Sequence, residues 1–175
     1  MLYTGHGDAG YTTVVGGPPL SKCHIRLEAI GALDEAQAQL GIVRAFLNGS
    51  PLSTQVRRVQ FELSLLMADL ATVTKSRSLP QHITSNHLMH LEEDITAWET
   101  ATGGFAGFTT PGDSLVEAYL HLARTVIRRA ERQIVALASE DTTIDALILT
   151  YTNRLSSWVF ALTLLVTNSA TSFAA

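Results

Sequence analysis

Arg124, Arg128 and Arg132 follow one another at intervals of four residues within HLARTVIRRAERQIV, residues 121–135. On a helix that spacing stacks three guanidinium groups along one stripe. Stacked cations repel one another unless an anion lies against them. Arginine is the side chain suited to a planar, two-pronged grip on phosphate or carboxylate. Taken alone, the stripe is either a solvated basic face with Glu131 as its counter-ion, or the bed of an anionic ligand or of a partner's carboxylates. The neighbouring Leu120, Leu122, Val126, Ile127, Ile134 and Leu137 make the flanks too apolar for a freely solvated face, which argues for the anion.

Two other polar groupings accompany the stripe. The first is the N-terminal stretch, where Thr4, Asp8, Thr12, Thr13, Ser21 and Lys22 are set among Gly5, Gly7, Gly10, Gly16 and Gly17. Permissive backbone with many free N–H groups is the raw material of a phosphate cradle. No GxxxxGK[ST] occurs, and no GxGxxG follows a strand, so the stretch is either such a cradle or an unattached tail. The second grouping is Arg26, Glu28, Asp34 and Glu35 on an otherwise apolar helix. Asp34 sits at the edge of the buried side and requires a cation. A stripe arginine would serve, within the subunit or across an interface; a plain bundle salt bridge is the alternative. Asn153 and Arg154 extend the polar surface onto the last helix.

His82, His87 and His90 lack partnering carboxylates and read as surface residues, so no protein-built metal site is expected. The single Cys23 excludes an internal disulfide and a CxxC site, and is expected as a buried free thiol. No Ser-His-Asp or Cys-His arrangement is present. Chemistry must then rest on bound reagents, with the protein supplying position and electrostatics.

The elements that must carry these residues are helices. Periodic apolar positions predict helices over about 23–47, 53–73, 84–100, 114–138 and from 141 or 142 to 168, with a polar loop over 75–81 around Pro80. Ser114 and Glu117 have capping-box spacing. No alternating strand pattern appears, so the fold class is all-α: a five-helix antiparallel bundle behind an irregular glycine-rich N-terminal segment. The 175 residues read as one domain, with 1–22 as loop and 23–168 as bundle. Only 16% of residues are charged and mean hydropathy is +0.19, little charge for a lone monomer, so a large interface between identical copies is expected. The net charge of −4 argues against nonspecific nucleic-acid binding. Leu155–Val166 is too short to span a membrane and the N-terminus shows no secretory pattern, which together predict a cytoplasmic protein.

The pieces YTGHGDAGYTT, RLEAIGALDEAQAQLG, DLAT, HITSNHLMHLEEDI, FTTPGDS, HLARTVIRRAER and TNRLSSWVFAL occur in that order. In order, spacing and the central RRAER, the chain resembles the PduO-type ATP:cob(I)alamin adenosyltransferases over nearly its whole length. The resemblance implies a homotrimer with active sites between subunits, ATP and Mg²⁺ as co-substrate and cofactor, cobalamin as second substrate, and a reductase partner. Cobalt would be the nucleophile at C5′ of ATP, with inorganic triphosphate expelled. Thr4, Gly7, Asp8, Gly10, Thr12 and Lys22 match the family's ATP loop. Arg128, Glu131 and Arg132 match its nucleotide-contacting motif, and Asn153 the Asn of its Asn-Arg-Leu-Ser motif. Asp34 resembles the acid that pairs with an arginine, here Arg128, to hold the site closed. Phe108 resembles the aromatic that displaces the lower cobalt ligand.

The sequence also departs from the family. Gly5, His6 and Pro19 replace a basic residue, a threonine and an arginine; Ala36-Gln37, Asp113 and Ser157 stand at other altered positions. Loss of two cations at the ATP loop predicts weaker triphosphate binding, by ~1–2 kcal/mol for each charge-assisted hydrogen bond that is no longer made. The alternative function is therefore a catalytically weakened paralogue that binds corrinoid or nucleotide as a carrier or sensor.

Overall fold

Helix ends are set by local chemistry, and they shift most of the expected boundaries by a few residues. The computed structural model describes residues 3–73, 82–104, 107 and 109–171. Phe108 and the expected loop over 75–81 lie outside the described residues. Helix α1 spans Ile25–Phe46, starting later than expected because His24 caps it: Nδ1 accepts the Arg26 N–H at 3.1 Å. Helix α2, Pro51–Leu70, begins earlier. Ser50 Oγ accepts the Leu52 N–H at 3.2 Å, and Pro51 takes the first helical position, where its missing N–H is no loss. It ends at Leu70 rather than 73 because the next residues peel away to meet the N-terminal segment. Val15 N–H donates to Ala71 O at 2.8 Å, and Val73 N–H donates to Val15 O at 3.0 Å.

Helix α3, Ser85–Thr102, opens with Thr84 N–H donating to His87 Nδ1 at 3.0 Å, which gives one of the supposedly idle histidines a capping role. Helix α4 is Leu115–Glu140. Its expected capping box is only half made. Ser114 Oγ accepts the Glu117 N–H at 3.2 Å, but the Glu117 carboxylate turns instead to Gly112 N–H at 2.8 Å. Helix α5, Ala146–Thr171, starts later than predicted. Asp141 folds onto its own turn by accepting Thr143 N–H, and Asp145 Oδ1 accepts Leu147 N–H, each at 2.8 Å.

In the bundle α1 packs between α2 and α4, and α5 packs between α4 and α3. Leu33, Leu40, Leu63, Leu66, Ile127, Ile134 and Trp158 form the fully buried centre. On α4 the buried line is Leu120, Ala123, Val126, Ile127, Ala130, Ile134 and Leu137; Leu122 and Val135 face outward. The open side of the bundle, between α2 and the α3–α5 pair, is closed by polar side chains. Arg58 joins Glu62 at 2.9 Å to Asp94 at 2.5 Å. Trp158 Nε1 donates to Asp94 at 2.8 Å, and the buried Tyr151 hydroxyl donates to Glu62 at 2.6 Å. Burial pushes the Tyr151 pKa well up, which keeps it a donor.

Arg26 belongs to this framework and not to a site. It is 2% exposed and ties the start of α1 to the ends of α2 and α4 by donating to Leu70 O and Asp141. Asp69 accepts the Ile83 N–H at 2.9 Å, so the last turn of α2 also holds the approach to α3.

The N-terminal segment is not an unattached tail. Tyr11–Thr12 (β1) and Leu20–Ser21 (β2) pair antiparallel, with Tyr11 opposite Ser21. Val14 is buried, and Val15 bridges Thr72 in parallel. Only glycine fits at position 17, where a Cβ would lie 2.4 Å from Val73 Cγ2. Cys23, expected to be buried, is exposed, because it falls in the turn between β2 and the cap of α1. Among the described residues no helix is long and apolar enough to cross a membrane.

Candidate active site

The three stripe arginines have different environments. Arg124 is half-buried, with its guanidinium carbon 5.8 Å from the centre of the Phe160 ring, a cation–π distance. Arg128 and Arg132 are exposed. Arg132 donates to the Arg128 carbonyl at 3.0 Å. Neither Arg128 nor Arg132 pairs with a carboxylate among the described residues. The neighbouring Arg129 points the other way, toward α1, and is neutralised by Glu35. The carboxylate that α1 supplies to α4 is thus Glu35, while Asp34 is exposed and its carboxylate makes no ion pair or hydrogen bond with any described residue.

Beside the unpaired arginines runs a groove of about 460 Å³ between α4 and α5, lined by Arg128, Glu131, Arg132, Ser139 and Asn153. Asn153 Nδ2 donates to Glu131 Oε1 at 2.7 Å, which fixes the carboxylate at the groove wall and leaves the guanidinium groups available. Arg154, on the next face of α5, is taken up by Glu92 at 2.9 Å.

Arg128 also lines a second cleft of about 400 Å³, with Arg124, His121, Ser156, Phe160 and Thr109. A third cavity of about 330 Å³ continues from it beside Gly104, Gly107, Thr109 and Asp113, and the two share Thr109, His121 and Leu164. Together these spaces form a mixed polar and aromatic trough that meets the arginine groove at Arg128. Apolar walls with a few aimed donors suit a large organic ligand, and a bare arginine pair suits a polyphosphate.

The N-terminal loop is placed elsewhere on the chain. Its turns are closed by Asp8 N–H to Gly5 O at 3.1 Å and Gly10 N–H to Gly7 O at 3.2 Å, and Lys22 N–H donates to Gly10 O at 2.8 Å. The Lys22 amine folds over Gly7, close enough that a Cβ there would meet Nζ at 2.9 Å. Thr4, Asp8 and Gly10 are exposed; Gly7 and Thr12 are half-buried. Among the described residues no hydrogen bond or ion pair joins this loop to Arg128 or Arg132. Two of the sequence-predicted clusters therefore form, but one copy of the chain does not bring them together.

The family described as cobalamin adenosyltransferase matches residues 2–166. The chain belongs to the cobalamin adenosyltransferase family. It is 37% identical over 164 residues to the corrinoid adenosyltransferase of Bacillus subtilis, covering 91% of this chain and 83% of that one. To the corrinoid adenosyltransferase of Citrobacter freundii it is 36% identical over 162 residues, covering 92% of each. A solved phenylalanine-to-histidine variant of the PduO-type ATP:corrinoid adenosyltransferase from Lactobacillus reuteri, complexed with cobalamin and ATP, superposes with a TM-score of 0.87. It is 32% identical to this chain, over 95% of this chain and 90% of that one.

Within this cobalamin adenosyltransferase-family chain, two site residues are not marked as such by the sequence. Glu117 reads there only as a cap and His121 only as the start of a motif. Both are buried, 3% and 4% exposed, and line the inner cavity; His121 also lines the larger cleft. Glu117 Oε1 and His121 Nε2 approach to 2.8 Å. Burial holds the His121 pKa below its ordinary value against the pull of Glu117. Their i,i+4 spacing is the one available signal. Phe160 is likewise legible only as an apolar helix position.

Proposed function

We infer that this chain is an ATP:corrinoid adenosyltransferase, which transfers the 5′-deoxyadenosyl group of ATP to cob(I)alamin and releases inorganic triphosphate. The observation that carries the reading is the exposed Arg128–Arg132 pair, unmatched by any described carboxylate of its own chain, in a groove that opens onto a trough large enough for an organic ring system. The groove takes the triphosphate and the trough takes the corrinoid. Arg128 stands at the seam between them.

The reaction needs no protein nucleophile. The Co(I) centre of the corrinoid forms a bond to C5′ as the C5′–O5′ bond breaks, and triphosphate leaves with the electron pair. The protein's contribution is to align the two substrates and to stabilise charge on the departing triphosphate. Arg128 and Arg132 are aimed where that charge develops, and Asn153 holds Glu131 back from competing for them. Among the described residues no group of three or more His, Cys, Asp or Glu could hold a metal. That donor set fits Mg²⁺ only as an ion carried in on phosphate and water oxygens, with Glu131 the carboxylate nearest the groove. Bound there, the ion would further neutralise the triphosphate.

The separation of the N-terminal loop from the arginine groove supports a site built between copies. The loop residues Thr4, Gly7, Asp8, Gly10, Thr12 and Lys22 of one subunit cover ATP lying on Arg128 and Arg132 of its neighbour in a homotrimer. The unpartnered Asp34 supplies Arg128 of an adjacent copy, and Phe108 presses on the corrin to displace the lower ligand. The setting is cytoplasmic, where a reductase delivers cob(I)alamin.

Purified protein with MgATP and chemically reduced cobalamin tests the assignment through the visible-absorbance change of adenosylcobalamin formation. Product above the no-protein control is expected. Tight corrinoid binding without product would identify a carrier or sensor instead, and binding of neither substrate would make the arginine stripe purely structural.

A further inference from the structure

One buried carboxylate touches both the loop over the trough and the helix that lines it. Glu117 Oε2 accepts the Gly112 N–H at 2.8 Å. Gly112 holds a φ of +125°, a conformation that favours glycine and that turns this N–H toward the carboxylate. The other oxygen of Glu117 lies 2.8 Å from His121 Nε2, a close approach that misses straight hydrogen-bond alignment. On the far side of the imidazole, Nδ1 lies 3.4 Å from an Arg124 amino group. Arginine can only donate, so Nδ1 accepts and the ring proton sits on Nε2, facing Glu117. A neutral ring agrees with its lowered pKa. The order is therefore fixed in one direction: Gly112 N–H to Glu117, His121 N–H toward Glu117, and Arg124 N–H to His121. At the end of the chain Arg124 lines the larger cleft over Phe160, and its buried Nε has no hydrogen-bond partner among the described residues.

We propose that Glu117 is a positioning residue for the corrinoid: it anchors the 109–114 loop through Gly112 and, acting through His121, aims Arg124 into the trough. This rests on the adenosyltransferase reading. It goes beyond it by assigning Arg124 to a hydrogen-bond acceptor on the corrinoid rather than to the triphosphate, and by making loop position and arginine orientation depend on one carboxylate.

Two substitutions separate the two arms. Glu117→Ala removes both. Glu117→Gln keeps an oxygen for Gly112 N–H but presents an amide N–H to His121. The imidazole must then accept on Nε2 and carry its proton on Nδ1, where it opposes the Arg124 donor. Hydrogen–deuterium exchange over 109–114, read without substrate, reports the anchor. Apparent KM for cob(I)alamin and for ATP, with thermal melting, reports the arginine.

In Glu117→Ala, exchange at Gly112 is expected to rise about tenfold or more. The corrinoid KM is expected to rise about tenfold while the ATP KM stays within about twofold. In Glu117→Gln exchange stays near wild type while the corrinoid KM still rises. Unchanged exchange in Glu117→Ala would overturn the anchor. An unchanged corrinoid KM, or corrinoid and ATP KM values rising together with a lower melting temperature, would overturn the positioning role. A wild-type protein that makes no adenosylcobalamin would defeat the adenosyltransferase reading, and the exchange measurement would still decide the anchor.

Discussion

Arg128 and Arg129 are adjacent in sequence and have opposite fates. Arg129 looks toward α1 and is matched by Glu35, whereas Arg128 looks toward α5 and is matched by no described carboxylate of its own chain. Helix geometry separates neighbours by about 100°, so a run of arginines divides between those matched inside the bundle and those left facing the groove, according to which face each occupies. The i,i+4 stripe is therefore readable from sequence, but the partner of each arginine is not. Asp34 and Glu35 are equally plausible acids until the rotation of α1 against α4 is known. His121 shows a similar limit: a histidine inside an apolar motif gives no sign of burial beside a carboxylate. Because burial lowers the His121 pKa, the unfolded chain takes up a proton near pH 6.5 more readily than the fold does. This contribution to stability is complete above that value and is lost as pH falls through it toward the lowered folded pKa. Between pH 7.5 and pH 5.5 the urea midpoint should drop less in His121→Gln than in wild type; equal drops would place His121 in an ordinary environment.

At the scale of elements, periodicity and caps point to five helices, and the misplaced ends have particular causes. Helix α2 stops at Leu70 because the main chain of 71–73 is committed to Val15, a long-range pairing that no local pattern encodes. The two short strands are invisible in the sequence for the same reason, since two-residue pairing carries no alternation. This docking fixes the N-terminal loop on the bundle, and it depends on the close approach at Gly17. In Gly17→Ala, Val73 must retreat from a Cβ 2.4 Å away. The ATP KM should then rise about tenfold, equivalent to ~1.4 kcal/mol, with the corrinoid KM unchanged; steady-state kinetics in each substrate check this, and equal shifts in both would argue against it. Within the bundle, Tyr151→Phe removes the hydroxyl that satisfies one oxygen of the buried Glu62. An unpaired buried acceptor costs about 1–3 kcal/mol, so the urea unfolding free energy should fall by that amount without loss of turnover.

For the whole molecule, low charge and a bundle with unmatched groups on α1 and α4 point the same way. Composition suggests a self-interface from 16% charged residues, and the fold leaves Asp34, Arg128 and Arg132 without ion-pair partners among the described residues of one copy. Sedimentation equilibrium should give a mass about three times 18.9 kDa, and Asp34→Ala should weaken that assembly; a monomer with full activity would rule out the shared site. The most direct measurement is turnover of Arg132→Ala beside wild type, with MgATP and cob(I)alamin, scoring adenosylcobalamin and released triphosphate together. Wild type should form the two in equal amounts, and Arg132→Ala should lose about 100-fold or more in rate, as removal of a preorganised charge donor does, while its mass stays unchanged. An Arg132→Ala protein as active as wild type, or one whose only defect is dissociation, would contradict the claim that this arginine groove holds the triphosphate.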